Sequence, residues 1–225
     1  VRPTFKFKSE HIPRAVIQRL AIYLQILEAL KNEDTEVVSS EQLARTCEVN
    51  PSQIRKDLAY FGEFGVRGVG YNISKLIQSI KVSIGTDRLW HTALIGVGNL
   101  GRALLRYQGF PKRGFKIVAA FDCDPFKIGE IVADLEVMCP RQMKGRVQDL
   151  RIEIGIITTP SDRAQHAADY LVEADIKCIL NFAAARIHVP DHVYVEYVDF
   201  FHHLYALTFK YCLDEASRAK STSTP

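Results

Sequence analysis

A chain of 225 residues that is 47% hydrophobic and 24% charged can bury one large core or two small ones, and it contains no internal repeat. The net charge of +3 excludes no partner, but all of the excess lies within residues 1–85. No apolar run approaches the ~20 residues of a membrane span, and five cysteines without a CxxC pair exclude a zinc framework or a secreted disulfide scaffold.

The cysteines read as reduced thiols of a cytoplasmic protein, because residues 1–10 are polar and charged and do not resemble a signal peptide. Pro13 suits a first helical turn, and Val16, Ile17, Leu20, Leu24, Leu27 and Leu30 recur at helical spacing, which predicts a helix over 13–31. Val37-Val38 reads as a short strand. Ser39 with Gln42 forms a capping box that opens a short helix ending near Cys47. A second helix opens with Asn50 as cap, Pro51 at the first position and Gln53 as box partner, and runs to Phe61 before Gly62. Two short helices joined by a tight turn predict a helix-turn-helix. Ile54, Leu58 and Phe61 face inward, and Ser52, Gln53, Arg55 and Lys56 face outward. Residues 65–71 form a glycine-punctuated hairpin with Arg67 at its tip, which reads as a wing. A helix over 74–84 closes this domain.

The pattern then changes to strands at 89–95, 116–121, 152–157, 176–180 and 193–198, with helices at 102–107 and 161–174 between them. Strands alternating with helices predict a doubly wound parallel sheet. A last apolar helix spans 200–213, and the small polar tail beyond it reads as disordered. The resulting division is a winged-helix domain over 1–85, a Rossmann domain over 86–199, the terminal helix over 200–213 and a tail over 214–225.

The first strand runs into Gly96-Val97-Gly98-Asn99-Leu100-Gly101 and a helix. Gly96 permits the tight turn, Gly98 lets the backbone approach a pyrophosphate, and Gly101 lets helix and strand pack closely. The helix N-terminus offers N–H donors to phosphates. Asp122, at the end of the next strand, is placed to accept the adenosine ribose hydroxyls and to repel a 2′-phosphate, so NADH and NAD+ are the expected ligands. In the N-terminal domain, Gln53 suits an adenine edge, Arg55 or Lys56 a guanine edge or phosphate, and Arg67 a narrow A·T-rich minor groove.

Catalytic machinery is not visible. Tyr71 and Lys75 stand four apart, but before the nucleotide domain and not after it. His202 and His203, beside Asp199, come with no further ligand or substrate pocket in view, so no metal is expected. Cys123 lies between two carboxylates that disfavour its thiolate. The alternatives are an NAD-dependent oxidoreductase with an accessory helical domain, which lacks an acid–base pair, and a CoA-binding interaction protein, which leaves Asp122 without a purpose.

The chain resembles the bacterial Rex redox-sensing repressors over residues 10–213. The resemblance rests on Ser39–Leu43, Gln53–Leu58 with Tyr60-Phe61-Gly62, Arg67–Tyr71, Gly96–Gly101, Tyr107 with Gly109-Phe110, Phe121–Pro125, Ile179–Ala183 and Val198-Asp199-Phe200. It implies a homodimer whose last helix is swapped onto the partner and packs between the partner's two domains. It implies an A·T-rich inverted-repeat DNA operator, contacted by Ser40, Ser52, Gln53, Arg55, Lys56, Tyr60, Arg67 and Gly68. Beside the glycine motif and Asp122, it implies that Thr158, Thr159, Pro160, Asn181, Phe182 and Ala183 line the nucleotide. Phe200 would reach the partner's nicotinamide, and Tyr107 and Asp199 would couple its state to the interface. Gln25 departs from the family, many members of which carry an arginine there to pair with the residue matching Asp199. Arg19 is the nearest candidate substitute.

Overall fold

Helical spacing places Val16, Leu20, Tyr23 and Leu27 on the buried face of the first helix, α1 (Arg14–Asn32). The computed structural model describes residues 12–62, 64–66 and 69–222, and the chain divides into two units, Val1–Arg88 and Leu89–Pro225.

In the first unit α1 is followed by β1 (Val37–Val38), α2 (Ser40–Cys47), α3 (Pro51–Ala59), β2 (Gly65–Val66), β3 (Gly70–Asn72) and α4 (Ile73–Ile84). The capping box of α2 is formed as expected: Gln42 N–H donates to Ser39 Oγ at 3.1 Å and Ser39 N–H to Gln42 Oε1 at 2.8 Å. Asn50 caps α3 by accepting from Ser52 N–H at 2.8 Å. Gln53 does not complete a second box; its amide turns to Asp57 instead. The three strands form an antiparallel sheet in the order β1-β3-β2. Gly70 has φ +105°, and a Cβ there would press on the Val38 carbonyl, so this position of the hairpin requires glycine. The predicted wing tip, Arg67 and Gly68, lies outside the described residues. α4 ends on Gly85 in the left-handed conformation. Leu20, Tyr23, Leu43, Ile54, Leu76 and Ile80 meet in the core.

The second unit runs β4 (Trp90–Ile95), α5 (Asn99–Arg106), α6 (Gly109–Lys112), β5 (Phe115–Phe121), β6 (Ile131–Val132), β7 (Leu135–Met138), α7 (Met143–Leu150), β8 (Ile154–Ile157), α8 (Ala164–Glu173), β9 (Cys178–Asn181), β10 (Tyr194–Tyr197) and α9 (Phe201–Thr222). The sheet order is β10-β9-β8-β4-β5-β7-β6, parallel except for the β6–β7 hairpin. From β4 the chain winds outward through β5 and β7, then returns to β8 on the other side. The carboxyl ends of β4 and β8 therefore flank the topological switch, where crevices form in such sheets.

Helices α6 and α7 were not among the predicted elements, and two further features differ from the sequence reading. The β6–β7 hairpin turns on Ala133 and Asp134, both with positive φ, in place of the Asn-Gly pair that would have signalled it. The tail expected to be disordered over 214–225 is helical through Thr222, because Glu215, Ala216 and Arg218 continue a good helix former. Among the described residues, no helix is long and apolar enough to cross a membrane.

Candidate functional site

The three glycines after β4 meet different constraints. Gly96 has φ +105°, and a Cβ would lie 2.7 Å from the Thr158–Thr159 backbone. A Cβ on Gly101 would run into the Gly96 carbonyl oxygen. A Cβ on Gly98 would meet nothing within 4 Å, so its backbone borders open space. The turn is tied to both neighbouring strands: Gly96 N–H donates to Phe121 O at 2.8 Å, and Thr158 Oγ1 donates to Gly96 O at 2.7 Å. No side chain caps α5, which leaves the amides of its first turn directed at that space.

Asp122 is buried beside the turn. Its Oδ2 accepts from Val97 N–H at 2.7 Å and from Lys127 Nζ at 3.1 Å, and its Oδ1 accepts from Asp124 N–H at 2.9 Å. Burial alone would raise this carboxyl, but these donors hold it below the ordinary carboxylate range. Oδ1 keeps a free lone pair for a ribose hydroxyl. Thr159 Oγ1 is buried with no hydrogen-bond partner among the described residues. An uncapped helix start, an open approach at Gly98, an acceptor at Asp122 and an orphaned hydroxyl at Thr159 fit a dinucleotide.

The other residues assigned to this site are placed as follows. Asn181 is fully buried and its amide is committed to its own loop, accepting from Ala183 N–H at 2.8 Å and donating to Ala185 O at 2.9 Å. It shapes the Phe182–Ala183 turn. Pro160 is exposed at the end of β8. Tyr107 is exposed, edge-on to Phe110 at 5.7 Å. Asp199 caps α9: its Oδ1 accepts from Phe201 N–H at 2.9 Å and its Oδ2 lies 3.5 Å from His202 Nδ1. Phe200 is 60% exposed.

In the first unit the outward face of α3 is only partly free. Ser52 and Lys56 are exposed and Tyr60 half-buried. Arg55 Nη1 donates to Ser40 Oγ at 2.7 Å and to Glu41 Oε1 at 3.3 Å, so Ser40 is buried and serves to aim Arg55. Gln53, expected to face outward, donates its amide to Asp57 Oδ1 at 2.7 Å. Asp57 has no exposed surface and also accepts from Arg19 Nε and Nη2 at 2.6 and 2.7 Å and from Tyr23 Oη at 2.8 Å. Burial would raise its carboxyl, but the hydrogen bonds from Arg19, Gln53 and Tyr23 keep it below the ordinary range. Arg19 is thus held on Asp57 in this structure.

Two family models match the chain: "Putative DNA-binding protein N-terminus" over residues 11–59 and "CoA binding domain" over residues 87–185. The chain is 65% identical over 207 residues to the redox-sensing transcriptional repressor Rex of Solidesulfovibrio magneticus, covering 92% of this chain and 94% of that relative. RSP, a Rex-family repressor solved with beta-NAD+ and operator DNA, superposes with a TM-score of 0.86 at 36% identity, over 96% of this chain and 100% of RSP. RSP solved with beta-NADH gives 0.83 at 35% identity over the same shares. This chain belongs to the Rex family of redox-sensing transcriptional repressors.

Its fold is accordingly an N-terminal DNA-binding domain followed by a Rossmann-like parallel-sheet domain. In this Rex chain the Asp57 cluster and Lys127 are functional-site features that the sequence did not announce. A carboxylate between Ile54 and Leu58, on the inward face of α3, was the available signal for the first. Lys127 gave none, because its partner is set by the turn after β5.

Proposed function

We propose that the chain is a DNA-binding repressor that senses the balance of NADH and NAD+, holding operator DNA in the apo or NAD+ state and leaving it with NADH. The observation that carries this reading is the glycine turn with Asp122 at the sheet's switch point, in a chain that also bears the family's helix-turn-helix.

The N-terminal domain addresses DNA through Ser52, Gln53, Arg55, Lys56 and Tyr60 on and just beyond α3, with Ser40 aiming Arg55, and through Arg67 and Gly68. In the second domain, the α5 amides and the open backbone of Gly98 take the pyrophosphate, and Asp122 takes the ribose hydroxyls. Thr158, Thr159, Pro160 and the Phe182–Ala183 turn line the rest. The two redox forms of the ligand differ by a hydride and one positive charge on the nicotinamide ring. Phe200 supplies an apolar wall that receives a neutral ring at little expense, whereas a buried cation needs a partner. Asp199 is that partner in an open arrangement, and Tyr107 links the pocket to the interface.

The working form is a homodimer, with α9 swapped onto the partner and two winged helices meeting an A·T-rich inverted repeat. The exposed state of α9 supports this: Leu204, Tyr205, Leu207, Phe209, Tyr211 and Leu213 are each at least half exposed, and they cover roughly two thirds of the helix circumference. A helix apolar on so much of its surface requires a surrounding partner. The protein acts as a regulator, not an enzyme, in the cytoplasm. A CoA reading is favoured by the matched model alone.

The test is fluorescence anisotropy of a labelled A·T-rich inverted repeat, with NADH and NAD+ titrated in parallel at fixed salt. Specific binding abolished by NADH and spared by NAD+ is expected. Binding indifferent to both nucleotides, or displacement of NADH by CoA, would reassign the second domain. Absence of specific binding with turnover of NADH would make the chain an oxidoreductase.

A further inference from the structure

We propose that the Arg102–Glu130 ion pair is a gate against a 2′-phosphate, so that Glu130, together with Asp122, sets the preference for NAD(H) over NADP(H). The inference rests on reading the end of β5 as the ribose end of a dinucleotide site.

Arg102 directly follows Gly101 on α5. Its Nη1 and Nη2 donate to Glu130 Oε1 and Oε2 at 2.5 and 2.6 Å, a two-pronged pair with both side chains partly exposed. Glu130 is fixed by its backbone at the head of the β6–β7 hairpin, where its carbonyl accepts from Val137 N–H at 2.8 Å. Glu130 N–H donates to Lys127 O at 3.0 Å, and Lys127 Nζ donates to Asp122 Oδ2, which ties the pair to the ribose carboxylate; the Asp122 charge acts on Arg102, and those of Arg106 and Lys127 act on Glu130. Lys127 is likewise occupied, at 3.1 Å from Asp122 and 3.8 Å from Asp124. Arg102 and Lys127 are therefore both already engaged by carboxylates.

A guanidinium is the side chain best shaped to grip a phosphate with two donors. A dinucleotide with a free 2′-hydroxyl makes no demand on Arg102 and needs only an acceptor at Asp122. A 2′-phosphate brings nearly two negative charges and would have to draw Arg102 away from Glu130 while facing both Asp122 and Glu130. The two-pronged fit fixes the guanidinium in one place and leaves it committed to Glu130.

The test titrates NADH and NADPH by calorimetry into the full-length wild type, Glu130→Gln, and Glu130→Gln combined with Arg102→Ala. The amide keeps the shape of Glu130 and removes its charge. Expected are weak NADPH binding by the wild type and a gain of about tenfold in Glu130→Gln, the worth of one hydrogen bond to a charged group. NADH affinity should change less than about threefold, and the double variant should lose the gain. NADPH affinity unchanged in Glu130→Gln while NADH binds normally would overturn the gate and leave the pocket intact. A gain that survives loss of Arg102 would also overturn it. A wild type that binds neither nucleotide would overturn the pocket, and the gate with it.

Discussion

Gly98 and Gly101 stand three residues apart, and substitution should separate their roles. Gly98 has φ −86°, which alanine adopts freely, and a Cβ there meets no atom within 4 Å. Gly98→Ala should therefore alter folding stability by less than about 1 kcal/mol, as expected for a changed N-cap. It should nevertheless fill the approach to the α5 amides, so the rise in Tm produced by NADH should be lost. Thermal unfolding with and without NADH measures both quantities, and a preserved NADH shift would mean the pyrophosphate lies elsewhere. Gly101→Ala, by contrast, must displace the Gly96 carbonyl and should lower Tm without any ligand. These roles were legible in the sequence because a tight turn between strand and helix is a local demand. The clamp of Val97, Asp124 and Lys127 on Asp122 was not, since these three donors are joined only when β4 and the turn after β5 meet.

At the scale of elements, α1 and α3 are locked through Asp57, which receives four hydrogen bonds from Arg19, Tyr23 and Gln53. Asp57→Asn leaves the Arg19 guanidinium without its counter-charge. Breaking a buried pair typically costs 3–5 kcal/mol, and because Arg19 can partly reach water a loss of roughly 2–3 kcal/mol is expected here. Urea unfolding measures the loss, and hydrogen exchange should localise it to α1 and α3. The pH dependence has a definite sign. The folded carboxyl titrates below its unfolded value, so its contribution is complete above about pH 4 and disappears as pH falls through the folded value. The gap between wild type and Asp57→Asn should be flat near neutrality and close in acid; a gap that persists there would place the stabilisation in packing, not charge. Most helices of this chain were legible from periodicity and caps, with α2 down to its capping box. The β6–β7 hairpin was not, being short and turned by Ala133-Asp134. The length of α9 was not legible, because its last turns are polar and carry no apolar stripe that would mark them as helix.

At the scale of the whole molecule, function is a coupling between two domains that each have their own core. No amount of pocket detail creates that coupling. NADH can move the molecule off DNA only to the extent that it binds the released arrangement better than the DNA-bound one. In the proposed dimer α9 is the element suited to transmit this preference, because it follows directly on Asp199 and Phe200 and carries apolar side chains on most of its surface. Linkage then imposes a numerical constraint. If saturating NADH weakens operator binding by some factor, saturating operator must weaken NADH binding by the same factor, commonly 5–150-fold for coupled sites. The first factor comes from anisotropy of labelled operator at zero and saturating NADH, the second from calorimetric titration of NADH into free and operator-bound protein, at one salt concentration. Equal factors for NADH, and a factor near one for NAD+, are expected. Unequal factors would mean that the two titrations report different assemblies, and a dimer held together by α9 throughout the cycle would be excluded.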